Sequence, residues 1–191
     1  MDWIKAIEIF AMVTGIAYVV LEILQKNAMW VVGILTGAAC AVSFGVQHVW
    51  ASMVLNLYYV LVSFYGLRAW KKAGQQAGEN VIHLRTLPPR VMLYSALAFV
   101  AGSLLFTAIL RTAGDSAPVL DASATVLSVI ATWWLAQSYL HQWILWIVAD
   151  TLTVILCLST GQYWLALMYV AYTAGAVYGY FHWKTRGKVV N

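Results

Sequence analysis

The sequence predicts an all-α polytopic membrane protein: seven transmembrane helices in a 3+1+3 parallel-repeat arrangement. Three observations predict it. Of the 191 residues 63% are hydrophobic and only 9% charged, against about 25% charged in soluble domains. Seven apolar runs are each long enough to serve as a span. The first three of these runs also reappear, without a gap, as the last three.

The runs cover roughly residues 3–24, 29–46, 50–70, 91–110, 118–139, 142–158 and 163–183. Seven spans place the termini on opposite faces of a membrane. One face then carries Lys26, Arg68, Lys71, Lys72, Arg85, Arg90, Lys184, Arg186 and Lys188, nine of the eleven basic residues. Lys5 and Arg111 fall on the other. Positive charge stays on the cytoplasmic face, so the N-terminus is expected outside and the C-terminus inside. This division also accounts for the net charge of +4 without a nucleic-acid partner. The lipid bilayer is the partner it implies. No cleavable signal is expected, because the first apolar run is span-length and lacks an A-x-A site. Cys40 and Cys157 sit in apolar runs and are expected as free, buried thiols.

A single membrane domain, 1–191, divides into a first three-helix repeat (1–70), a polar loop (71–90), a linking helix (91–110) and a second repeat (114–183). The loop, K-K-A-G-Q-Q-A-G-E-N-V-I-H-L-R-T-L-P-P-R, reads as a solvated cytoplasmic linker. A shift of 113 residues sets Trp30 on Trp143, Tyr59 on Tyr172, Tyr65-Gly66 on Tyr178-Gly179, Trp70 on Trp183 and Glu8 on Asp121. Three spans per half, with one between, make the repeats parallel. Trp70 and Trp183, at span ends, are read as members of the interfacial aromatic belt.

Within the second half, W-I-L-W-I-V-A-D places Trp143, Trp146 and Asp150 at i, i+3 and i+7, on one helix face. Asp150 stands roughly 10 Å along the axis from Trp143, where a carboxylate in hydrocarbon costs on the order of 3 kcal/mol. The residue types point to a cation site: Asp150 supplies charge and the two indoles supply flat faces. The competing reading is a helix-to-helix contact padded by tryptophan. In the first half Gly33 and Gly37 replace Trp146 and Asp150, offering either space for a bound molecule or a close-packing face.

Further polar groups lie at inward positions. Asn56 and Tyr59 share a face with Ser63 and Gly66, and Tyr169, Tyr172, Ala176 and Gly179 occupy the matching places. The Asn56 amide can donate and accept, to a bound ring or to a neighbouring helix. Tyr59 and Tyr172 divide between site and bundle core. Glu8 lies about two turns from the outer end of its span, within reach of water. Glu22 is spaced to pair with Lys26 at i+4, while Gln47, His48 and Trp50 border either an entrance or the membrane interface. No phosphate loop, metal-binding pair of cysteines, H-E-x-x-H or nucleophile elbow occurs. No enzyme, cofactor or metal is therefore expected. The last run holds no lysine for a retinal Schiff base.

W-I-L-W-I-V-A-D, the N-L-Y-Y-V-L-V-S-F-Y-G-L-R-A-W run ending at Trp70, and the closing Y-G-Y-F-H-W together resemble the PnuC family of bacterial vitamin transporters, over nearly the whole chain. The resemblance implies facilitated diffusion of an unphosphorylated vitamin, trapping by phosphorylation in the cell, and a homotrimer. It makes Trp143, Trp146, Asp150 and Asn56 binding residues. The nicotinamide riboside branch carries Asn at the place of Asp150 and Gln at that of Asn56, so the sequence looks closer to the PnuT thiamine branch. Thiamine is the expected substrate and nicotinamide riboside the alternative. A membrane enzyme or a vitamin-binding subunit without transport is the reading from another class.

Overall fold

The computed structural model describes residues 2–48, 50–77 and 81–190, and of residues 2–9, 11–12, 50–51, 76 and 77 the backbone alone. Among the described residues seven helices form: α1 (Asp2–Ile23), α2 (Ala28–Val46), α3 (Trp50–Ala77), α4 (Pro89–Thr112), α5 (Pro118–Ala136), α6 (Gln142–Ser159) and α7 (Tyr163–Arg186). Their positions match the seven apolar runs to within a few residues at most ends. Pro89 and Pro118 open α4 and α5, where a missing N–H costs no helical bond. Four helices, α2, α4, α5 and α6, are each long and apolar enough to cross a membrane.

The loop after residue 70 differs from expectation. α3 continues to Ala77, because Lys71 to Ala77 are mostly good helix formers and the next proline is Pro88. Beyond it, Ile82–Leu84 is a short buried strand rather than solvated chain. The Gln25 side chain accounts for part of this. Its amide donates to the His83 carbonyl at 2.9 Å and accepts from the His83 N–H at 2.7 Å, replacing both backbone partners that water would supply.

The chain divides into two compact units, one reaching His83 and one running from Leu84 to Val189. In the first, α1 packs on α2 and α2 on α3. In the second, α4 packs on α5, α5 on α6 and α6 on α7. The linking helix thus belongs with the second half. It buries none of its residues, and Met92, Leu97, Leu104 and Leu105 are all exposed on it.

The repeat seen in the sequence returns in the backbone of each unit. Gln25 and Ser138, 113 residues apart, both adopt positive φ, at 49° and 59°. His48 and Gly161, equally spaced, do so at 59° and 75°. Such angles are uncommon outside glycine, so coincidence at two pairs fixes the register. The turn hydrogen bonds follow the same shift. The Lys26 N–H donates to the Leu21 carbonyl at 2.9 Å, as the Tyr139 N–H does to the Trp134 carbonyl at 3.0 Å. Cys157 is a buried free thiol, whereas Cys40 is free but only half-buried.

Candidate substrate-binding site

Four tryptophans establish what in each unit is scaffold. Trp30 and Trp70 meet edge to face, with centroids 5.0 Å apart and planes at 77°. Trp143 and Trp183 repeat the arrangement at 5.3 Å and 88°. A Cβ on Gly66 would stand 2.5 Å from the Trp30 ring, and one on Gly179 2.6 Å from the Trp143 ring. Each glycine therefore exists to admit an indole. Trp70 and Trp183 are 1% and 0% exposed, which corrects their assignment to the interfacial belt. At the end of a span, a tryptophan next to a glycine one turn away packs inward instead. Trp143 is itself 1% exposed in this pair.

Along α6 from Trp143 lie Trp146, half-buried with its indole N–H buried and without an acceptor among the described residues, and Asp150, 6% exposed. No described residue donates a hydrogen bond to the Asp150 carboxylate. Its electrostatic neighbours are Tyr169 and Tyr172 of α7, which stand edge to face at 5.7 Å. Tyr169 also feels Asp121 of α5. The second unit thus brings together three of the expected residues, Asp150, Tyr169 and Tyr172, adds Asp121, and carries Trp146 one turn before Asp150 on α6. A carboxylate without a hydrogen-bond donor, beside two phenol rings and one helical turn from an indole, can hold an aromatic cation.

In the first unit the equivalent space is filled. A Cβ on Gly33 would meet Ser63 at 2.9 Å and Tyr18 at 3.1 Å, and one on Gly37 would meet Val60 at 2.9 Å. The two glycines serve close packing of α2 against α1 and α3. Bulk has changed helices between the halves: Tyr18 on α1 faces Gly33, whereas its equivalent in the second half, Ala131, leaves bulk to Trp146 on α6. Asn56, half-buried, donates to the Ser52 carbonyl of its own helix at 2.8 Å, leaving its oxygen and a second N–H for other partners. Tyr59 is half-buried beside Tyr58, with ring centroids 5.6 Å apart. Glu22 is 3% exposed and acts electrostatically on Tyr18. The side chain of Glu8 lies outside the described residues.

One buried group stands outside the membrane segments. His83, 4% exposed, meets the Trp70 ring edge to face at 5.7 Å. Burial pushes its imidazole down to about 4.

The nicotinamide mononucleotide transporter family matches the sequence over residues 5–185. The nicotinamide riboside transporter PnuC of Neisseria mucosa is 31% identical, over 95% of this chain and 72% of its own length. That of Haemophilus influenzae is 34% identical, over 71% of this chain and 60% of its own length. The crystal structure of the vitamin B3 transporter PnuC is similar in fold, with a TM-score of 0.69 and 28% identity, over 96% of this chain and 81% of that one.

Proposed function

Since the chain belongs to the nicotinamide mononucleotide transporter family, whose PnuC members it resembles along most of its length, we propose that it carries nicotinamide riboside across a bacterial cytoplasmic membrane. Thiamine, the substrate expected from Asp150 and Asn56, gains no support from the relatives, which are named for nicotinamide riboside. The observation that carries the proposal is Asp150, a buried carboxylate without a hydrogen-bond donor, beside Tyr169 and Tyr172. Nicotinamide riboside brings a pyridinium ring, which supplies the missing charge and a flat face for Trp146. Trp143 holds α6 against α7 through Trp183 and Gly179, and Asn56 and Tyr59 are the polar groups that the first half offers to the vitamin.

Transport is by facilitated diffusion, with the vitamin retained by phosphorylation once inside. The seven helices span the membrane with the N-terminus out and the C-terminus in, a direction that rests on the nine-to-two division of basic residues. The halves are related as parallel repeats. The homotrimer implied by the resemblance is part of the same proposal, with the exposed apolar length of α4 available to lipid or to a second copy.

Thiamine remains a second reading on one observation: a full carboxylate at position 150 suits any cationic heteroaromatic ring. Calorimetric titration of the purified protein with each vitamin decides between them. Nicotinamide riboside is expected to bind at least tenfold more tightly than thiamine. Tighter binding of thiamine would reverse the assignment, and binding of neither would remove it.

A further inference from the structure

Gln142, the first residue of α6, is 0% exposed, and neither its Oε1 nor its Nε2 has a partner among the described residues. Its backbone is satisfied, with the N–H donating to the Tyr139 carbonyl at 3.2 Å. An amide hidden from water without hydrogen bonds destabilises a fold. The fold does not require one here. Its equivalent in the first half, 113 residues earlier, is Met29, also 0% exposed. An unbranched thioether of similar length therefore fills the same place in the other repeat.

Gln142, Trp146 and Asp150 fall at i, i+4 and i+8, a single column on α6. Gln142 and Trp146 hold buried polar atoms without a partner among the described residues, and Asp150, 6% exposed, accepts no hydrogen bond from a described residue. The ends of the column are about 12 Å apart along the axis. With a contact of roughly 3 Å at each end, a ligand bridging them has on the order of 6 Å between its charge and its polar terminus. We propose that Gln142 is a specificity-determining residue: its amide reads a donor–acceptor edge, of the carboxamide kind, on an aromatic cation whose charge rests at Asp150 and whose ring rests on Trp146. A primary carboxamide meets a glutamine amide with one N–H and one oxygen on each side. The inference depends on the proposed function, since it takes the column as part of the vitamin's site.

The test replaces the amide with the side chain used in the other half. Gln142→Met should melt at or above the wild-type temperature and bind nicotinamide riboside at least tenfold more weakly. Pyridine riboside, which lacks the carboxamide, supplies the second arm. Wild-type protein should bind it at least tenfold more weakly than nicotinamide riboside, and Gln142→Met should bind the two alike. Affinity for nicotinamide riboside within twofold of wild type in Gln142→Met overturns the inference. So does equal binding of both compounds by the wild type, a result that needs no variant to fold. Wild-type protein that binds no nicotinamide riboside defeats the proposed function, and this inference with it. Wild-type binding together with an indifferent Gln142→Met defeats this inference alone.

Discussion

At the scale of single residues, the proposed site turns on the charge of Asp150. Its substitution by Asn keeps size and hydrogen bonding but removes charge. The expected result for Asp150→Asn is a loss of about 1–3 kcal/mol in affinity for a cationic vitamin, with no loss of melting temperature, since an amide is easier to bury than a carboxylate. Trp146→Phe should bind better than Trp146→Ala, because a smaller ring still offers a face. Titration calorimetry beside melting curves separates these effects from structural ones: lower melting with unchanged affinity would remove both residues from the site. His83 makes a prediction of a different kind. Its folded pKa of about 4 lies below the usual value near 6.5, so the unfolded chain takes up the proton first as pH falls. The stability it contributes is complete above about 6.5 and is lost as pH drops from there towards 4. Between pH 7 and 5 this amounts to about 2 kcal/mol. The fall in melting temperature over that interval should be smaller in His83→Gln than in wild type, and an equal fall would show that His83 is not held neutral.

At the scale of elements, the tryptophan–glycine locks make the two units alike. Adding a methyl at Gly179 forces it against the Trp143 ring, and at Gly66 against Trp30. Gly66→Ala and Gly179→Ala should each cost about 1–3 kcal/mol of stability, as overpacking does. Gly179→Ala should also weaken vitamin binding, because Trp143 and Gly179 belong to the helices that carry Asp150 and the two tyrosines. Thermal melting with bound and free protein checks both, and a melting temperature unchanged in either variant would contradict the lock. The elements were largely legible in the sequence, since apolar length and the prolines at 89 and 118 mark helix limits directly. The role of Trp70 and Trp183 was not. Periodicity gives the face of a helix on which an indole sits but not whether a neighbour covers it. The coincidence of Trp30, Gly66 and Trp70 with Trp143, Gly179 and Trp183 was the available signal. Gln142 escaped for a related reason: composition shows that a residue is polar, and only burial shows that its amide has no partner. For Asn56 the sequence leaves a bound ring and a neighbouring helix as alternatives, and one of its N–H groups goes instead to the carbonyl four residues back, a partner that helix geometry offers any such amide.

For the whole molecule, the family is one of membrane vitamin transporters, and the proposed downhill passage of a cation carries an energetic prediction of its own. A monovalent cation entering a compartment at about −100 mV gains roughly 2.3 kcal/mol, some 50-fold accumulation at equilibrium. Substrate identity was the part least legible in the sequence, because nicotinamide riboside and thiamine are both cationic heteroaromatic vitamins and the proposed site at Asp150 and Trp146 suits either. The most direct measurement is uptake of labelled nicotinamide riboside by vesicles containing the purified protein, with no ATP or sodium gradient. The account predicts saturable uptake that rises when the interior is made negative and that falls sharply in Asp150→Asn. No uptake above protein-free vesicles would contradict it.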